Sequence, residues 1–175
     1  MDQATENETS YHLARLLLLL GAFAARGRTL DGLTKLAKLD FLLRYPVFLE
    51  RLLQADRLAW PEGAEPTAAE RNAVESKMIR YKYGPWDNRY YPLIGALLSR
   101  GLAERTESRG KIGLQLTKLG RDAGQAIAAE PTWSAVVVRA DLLAEKYNVS
   151  GSQLKNRIYE ELPDAVDRPQ WSEIA

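Results

Sequence analysis

Glu75-Ser76-Lys77 comes nearest in this chain to a catalytic set. It matches the Glu-x-Lys half of a hydrolytic nuclease site, in which two or three carboxylates and a lysine hold a divalent metal and activate water, with Asp56 upstream as a further carboxylate. Two fixed positions in three arise by chance in many chains. Here they also fall at the end of an expected helix instead of along adjacent strands. The other routes to chemistry are poorer still. There is no cysteine, and the single His12 has no second histidine to build a metal site with. No glycine-rich phosphate loop, Gly-x-Ser-x-Gly elbow or His-Glu-x-x-His pair is present. The expectation is a protein that is not an enzyme, with no catalytic residues, no metal and no cofactor.

Binding chemistry is better represented. The stretch "IRYKYGPWDNRYYPLIG" opens at Ile79 and interleaves Tyr81, Tyr83, Trp86, Tyr90 and Tyr91 with Arg80, Lys82 and Arg89. Aromatics among basic residues can stack nucleic-acid bases. Tyr90, however, shares an apolar face with Leu93 and Leu97, and Trp86 sits in a Gly-Pro corner where it can staple a strand to a helix. The preferred reading is a structural joint that leaves Arg80, Lys82 and Arg89 outside for a partner. Formal charge is also unevenly spread: −2 over residues 1–70, +7 over 71–121 and −4 over 122–175. Within the basic middle, Arg105, Arg109 and Lys111 cluster around one turn, with Glu104 and Glu107 beside them. These six cations are the candidate DNA contacts. The helix before that turn offers Asn88, Arg89 and Arg100 but otherwise tyrosine, proline and small residues, a poor set for reading base edges. Phosphate contact is therefore expected rather than sequence readout.

The elements that must position these residues follow from periodicity and caps. After a polar, disordered-looking start, Thr9 or Ser10 caps a helix through "YHLARLLLLLGAFAARG" that ends at Gly27 and is apolar on more than one face. His12 in its first turn carries no chemistry. "GLTKLAKLDFLLRY" is a second helix with Lys35 and Lys38 among its leucines, and Pro46 opens a third. Residues 59–69, "AWPEGAEPTAA", form a loop, and "AERNAVESK" a short helix. "MIRYKY" alternates like a strand, and Asp87 or Asn88 caps a helix over Tyr90, Leu93, Ile94, Leu97 and Leu98 that closes at Gly101. "LAERTES", the turn "RG" and "KIGLQLT" make a hairpin. Thr117 caps a helix whose apolar side is Leu119, Ala123, Ala126 and Ile127. Past Pro131, Val136, Val137, Ala140, Leu143, Ala144 and Tyr147 form one stripe. Ser150 with Gln153 is a capping box before Leu154 and Ile158.

Helix, glycine, strand, basic turn, strand, helix is the order of a winged-helix domain. The fold class expected is mainly α with a small β-hairpin (α+β), a winged-helix-like core carrying additional N- and C-terminal helices. At 175 residues and 46% hydrophobic content the chain supports one compact unit, with 1–130 as helical region plus core and 131–175 as helical extension and tail. The longest apolar run, 16–25, is shorter than the roughly 20 residues a bilayer span needs, and the acidic start is the wrong flank for a secretory signal. With no cysteine, a cytoplasmic location is expected. Trp86, Trp133, Trp171 and Ile174 are large apolar groups that the small core does not need, which makes them candidates for a partner interface.

Taken together, "GLTKLAKLDFLLRYPVFLERLL", "ESKMIRYKYGPWDNRYYPLIGALLSRGLAE", "LTKLGRDAG" and "SGSQLKNRIYEELP" resemble the middle component of bacterial ABC-three-component systems, the group that overlaps Lamassu-type anti-phage and anti-plasmid defence. The resemblance runs from about Leu13 to Pro163. It implies a small winged-helix subunit that sits with an SMC-like or Rad50-like ABC ATPase and with an effector, commonly a nuclease, the catalysis belonging to those two. Double-stranded DNA, bound non-specifically, is a further expected partner, and no membrane is involved. A looser likeness to Panacea-type antitoxins gives the alternative: a DNA-binding transcriptional regulator or antitoxin acting without an ATPase.

Overall fold

The computed structural model describes residues 3–77 and 90–162, the side chains of 73–77 excepted. The strand expected over "MIRYKY", the Gly84-Pro85 corner, the cap at Asp87 or Asn88, and the tail from Pro163 lie outside the described residues. So do Arg80, Lys82, Arg89, Trp86, Trp171 and Ile174 among the expected site residues. The chain order is α1 (Gln3–Ala25), β1 (Leu30–Asp31), α2 (Leu33–Arg44), α3 (Pro46–Ala55), α4 (Ala68–Lys77), α5 (Tyr90–Ser99), β2 (Ala103–Ser108), β3 (Lys111–Leu116), α6 (Lys118–Ala128), α7 (Ser134–Lys146) and α8 (Gly151–Glu161). A 3-10 turn, Pro131–Trp133, leads into α7. The protein is mainly helical with a small antiparallel sheet of order β1-β3-β2.

α1 is the central helix. Leu13, Leu16, Leu17, Leu19, Leu20 and Phe23 are all buried, and α6, α7 and β3 pack around it. Its apolar residues go round the helix because it has neighbours on several sides. It begins six or more residues before the expected cap. The polar start is helical because Gln3 bonds Asn7 one turn on and Glu6 lies in the first turn, where a carboxylate suits the positive helix end. Gly27 ends it with φ of 65°, as the sequence indicates. Leu36, Leu39, Leu42 and Leu43 of α2 are buried as their spacing predicts, and Pro46 stands at the first position of α3.

The loop over residues 59–67 is fastened rather than loose. Arg139 of α7 is buried and donates to the carbonyls of Ala64 (2.7 Å) and Glu65 (3.0 Å) and to both carboxylate oxygens of Glu70. Glu70 also closes a reciprocal cap with Thr67, the hydroxyl accepting from the Glu70 N–H and the carboxylate from the Thr67 N–H. The connection is thus internal to the packing. α8 opens on the expected Ser150–Gln153 capping box and buries Leu154 and Ile158 against α2 and α3.

Two further sequence readings need correction. β1 is a third strand that two residues are too few to announce; it pairs with β3 through Leu30 opposite Leu114 and Asp31 opposite Gly113. The buried face of α6 is not the one led by Leu119, which is 58% exposed, as Ala126 is also exposed. Its buried residues are Gly120 and Gly124, flanked by Ala123 and Ile127. The helix comes so close to its neighbours that a leucine has no room at the contact, whereas glycine allows backbone to meet backbone.

One buried polar group sits at the centre of the core. Asp40 of α2 is fully buried and accepts from Arg15 Nε (2.6 Å) and Nη2 (2.9 Å) and from the Tyr90 hydroxyl of α5. Burial works to raise the Asp40 carboxyl, but the Arg15 charge and these hydrogen bonds prevail and hold it below the usual carboxylate range. The same burial, reinforced by Asp40, pushes the Tyr90 phenol well above its ordinary value. Three elements, α1, α2 and α5, are joined at this point.

Lys38, also on α2, is 3% exposed and has no ion pair or hydrogen bond among the described residues. Burial, with the Lys155 charge adding to it, pushes its amine down to about 8. Between pH 8 and the unfolded value near 10.4 the unfolded chain holds the proton more tightly, so stability rises with pH across that window. Lys38→Met is expected to unfold at higher urea than the parent at pH 7 and to lose that rise; equal midpoints at pH 7 would show that burying the amine carries no cost.

Candidate nucleic-acid interface

The hairpin that presents the cations is built by its turn. Arg109 and Gly110 both have positive φ, 51° and 75°, the conformation that two-residue hairpin loops require and that glycine supplies readily. The ladder then runs Ser108 opposite Lys111, Glu107 opposite Ile112, Thr106 opposite Gly113 and Arg105 opposite Leu114. Because side chains alternate along a strand, these pairs sort onto two faces. Ala103, Arg105, Glu107, Ile112, Leu114 and Leu116 share one face, of which Ala103, Leu114 and Leu116 are buried against the core. Thr106, Ser108, Lys111 and Gly113 share the other, joined there by Asp31 from β1.

Arg105 therefore stands on the opposite face from Lys111, and the three expected contact cations do not make one patch. Arg109 and Lys111 instead line a cleft of about 570 Å³ together with Asp31 and Ser108, and with Lys35 and residues 148–150 and 153 across from the turn. Lys35 is nine-tenths buried. Its ammonium donates to Asn148 Oδ1 and lies 5.4 Å from the centre of the Phe23 ring. Burial lowers the Lys35 amine; the Lys111 and Arg28 charges act in the same direction and Asp31 against it. The cleft is thus a place where positive charge outweighs its single carboxylate.

Elsewhere the cations are mostly committed. Arg15 pairs with Asp40, Arg26 with Asp141, Arg71 with Glu50, Arg139 with Glu70 and Arg157 with Asp56. Arg105, Arg109 and Lys111 are exposed and take part in no ion pair or side-chain hydrogen bond among the described residues. Paired cations cost a competing anion the energy of the existing pair, while unpaired ones do not.

Of the nuclease half-motif and its upstream carboxylate, only Asp56 has a described side chain. Asp56 accepts from the Tyr147 hydroxyl (2.7 Å) and pairs with Arg157 (2.7 Å), while Glu75 and Lys77 fall on the last turn of α4. Among the described residues no group of three or more histidine, aspartate or glutamate side chains could hold a metal ion. His12 is buried in α1 with its Nε2 3.4 Å from Glu8. Trp133 is half-buried, its ring 5.0 Å from that of Tyr11, which is itself 54% exposed. Among the described residues no helix is long and apolar enough to cross a membrane.

No family model, curated protein or solved structure matches the chain. Sequence reasoning singled out the turn cations but missed Lys35 as their neighbour. The available signal was a lysine inside a leucine-rich helix, where a long charged side chain must reach out to a polar edge.

Proposed function

We propose that this chain is a non-catalytic winged-helix subunit of a bacterial anti-phage and anti-plasmid defence complex, bridging an SMC-like or Rad50-like ABC ATPase and an effector, and touching double-stranded DNA through its hairpin. The observation that carries the DNA contact is the pair of uncommitted cations, Arg109 and Lys111, at an exposed turn of fixed geometry. The order α1, β1, α2, α3, α4, α5, β2, β3, with β3 between β1 and β2, contains the helix-strand-helix-helix-strand-strand succession of a winged helix with extra helices inserted, and supports that reading of the core. The tie to an ATPase and an effector rests on the resemblance of the quoted sequence stretches. Two or three cations on phosphate give modest affinity without base readout, which suits a subunit that meets DNA only while an ATPase holds it.

The isolated chain is expected to bind a random duplex weakly, with affinity falling as salt rises in proportion to the few phosphates neutralised. Fluorescence anisotropy between about 50 and 200 mM salt measures this. Tight binding of one sequence at physiological salt would instead favour a regulator or Panacea-like antitoxin that works without an ATPase.

A further inference from the structure

We infer that the cleft between the hairpin turn and the start of α8 seats a backbone phosphate of nucleic acid, with Lys35 as its fixed floor and Arg109 and Lys111 as its outer wall. This rests on the reading that the hairpin meets DNA, and changes which surface does so: the face of the sheet that carries Lys111 and Asp31, together with α2 and α8, not the core-packed face that carries Arg105.

Three cations from two separate parts of the chain converge on one cleft with a single carboxylate among them. Asp31 already accepts the Thr29 hydroxyl at 2.8 Å. Lys35 is the residue that makes this a built site. An exposed lysine loses its rotamer freedom when it binds, whereas Lys35 is held in advance by Asn148 and the Phe23 ring. An ammonium has three donors, and Asn148 takes one, so donors remain for an oxyanion. The burial that makes its charge costly also makes an anionic partner there worth more than at an open surface. Arg28 adds to the same field while its guanidinium is anchored on the Ala144 carbonyl (2.9 Å).

The lining chooses among phosphate ligands. Val149 is its one apolar side chain and no aromatic ring faces the cleft, so a nucleobase would find no stacking surface. A volume near 570 Å³ exceeds what a bare phosphate fills and leaves room for the flanking sugars of a strand. A phosphodiester within a chain is therefore the fitting ligand, rather than a mononucleotide.

The test measures binding of a random 20-base-pair duplex against salt for the full chain and four variants. Lys35→Gln and Lys111→Gln should each weaken binding about tenfold, the loss of one charge-assisted hydrogen bond, and each should reduce the salt slope by about one. Lys35→Arg should keep the slope, and Arg105→Gln should change neither quantity. Unfolding midpoints equal to the parent's establish that the variants are folded. If Lys35→Gln binds as the parent does, or if Arg105→Gln costs as much as Lys111→Gln, the cleft is not the phosphate seat, although the hairpin could still touch DNA. In a parallel arm, inorganic phosphate and a mononucleotide are titrated while the Val149 and Ser150 amide signals, both from residues lining the cleft, are followed by NMR. Saturable shifts there without duplex binding would overturn the nucleic-acid assignment and leave a small-anion site. Absence of both responses would overturn the cleft and the DNA contact together.

Discussion

Asp40→Asn is expected to destabilise the protein by about 3–5 kcal/mol, the usual cost of leaving one member of a buried ion pair uncompensated. The substitution keeps the size and one acceptor but removes the charge that Arg15 and Tyr90 both face. Arg15 is itself 3% exposed and cannot turn to water for compensation. A domain of this size has a total stability of about 5–15 kcal/mol, so the variant should be largely unfolded in modest urea. Tyr90→Phe should cost less, about 1.5–3 kcal/mol for one hydrogen bond to a charged group. The combined replacement Arg15→Met, Asp40→Leu and Tyr90→Phe should recover much of the loss, because it removes all three polar partners together. The pH dependence has a definite sign. The folded Asp40 carboxyl lies below its unfolded value of about 3.9, so its contribution is fully present above that value and is lost as pH falls through the folded one. Urea unfolding at pH 7 and pH 3 should show the parent losing more stability on acidification than Asp40→Asn. Equal stability of the two proteins at pH 7 would mean that the pair contributes nothing.

Gly120→Ala should be as damaging for a purely steric reason. A Cβ there would lie 1.9 Å from the Leu102 carbonyl oxygen and 2.9 Å from its carbon. That carbonyl cannot move freely, because it accepts the Thr117 N–H at 3.1 Å, and Thr117 is the residue whose hydroxyl caps α6. The expected loss is therefore at or above the upper part of the usual range of about 1–3 kcal/mol for overpacking. Gly124→Ala is the matched control one turn on. Its nearest neighbour would be the Leu17 carbonyl oxygen at 3.7 Å, an ordinary contact, and alanine is the better helix former by about 1 kcal/mol. Thermal unfolding should separate the two variants by several degrees, Gly124→Ala at or above the parent. A Gly120→Ala protein with the parent's midpoint would show that α6 can move away from the sheet.

The contrast between these two glycines also shows what could be read from the sequence. Thr117 as a cap, the Arg109-Gly110 turn, Pro46 at a helix start and the Ser150–Gln153 box are local chemistry, set by residues within four positions of one another, and all were legible. The buried face of α6 was not. Periodicity scores apolar residues, and the helix is seated by residues with no side chain while Leu119 stands in solvent. β1 has no period because it has two residues; only its partner strand defines it. The basic cleft was half legible. Arg109 and Lys111 share a turn, but that Arg105 faces away follows from the ladder register, and that Lys35 joins them depends on α2 and α8 meeting beneath the hairpin.

The central claim is that this chain works as a subunit, and co-purification tests it most directly. The tagged full-length chain, expressed with the products of its neighbouring genes, should bring down an ABC ATPase and an effector in fixed stoichiometry through size-exclusion chromatography. A complex that assembles with Arg109→Glu and Lys111→Glu in the hairpin, yet no longer protects cells against phage or plasmid, would fit the proposed DNA contact. Recovery of the chain without any ATPase, under conditions where the neighbouring proteins are expressed and folded, would contradict the account.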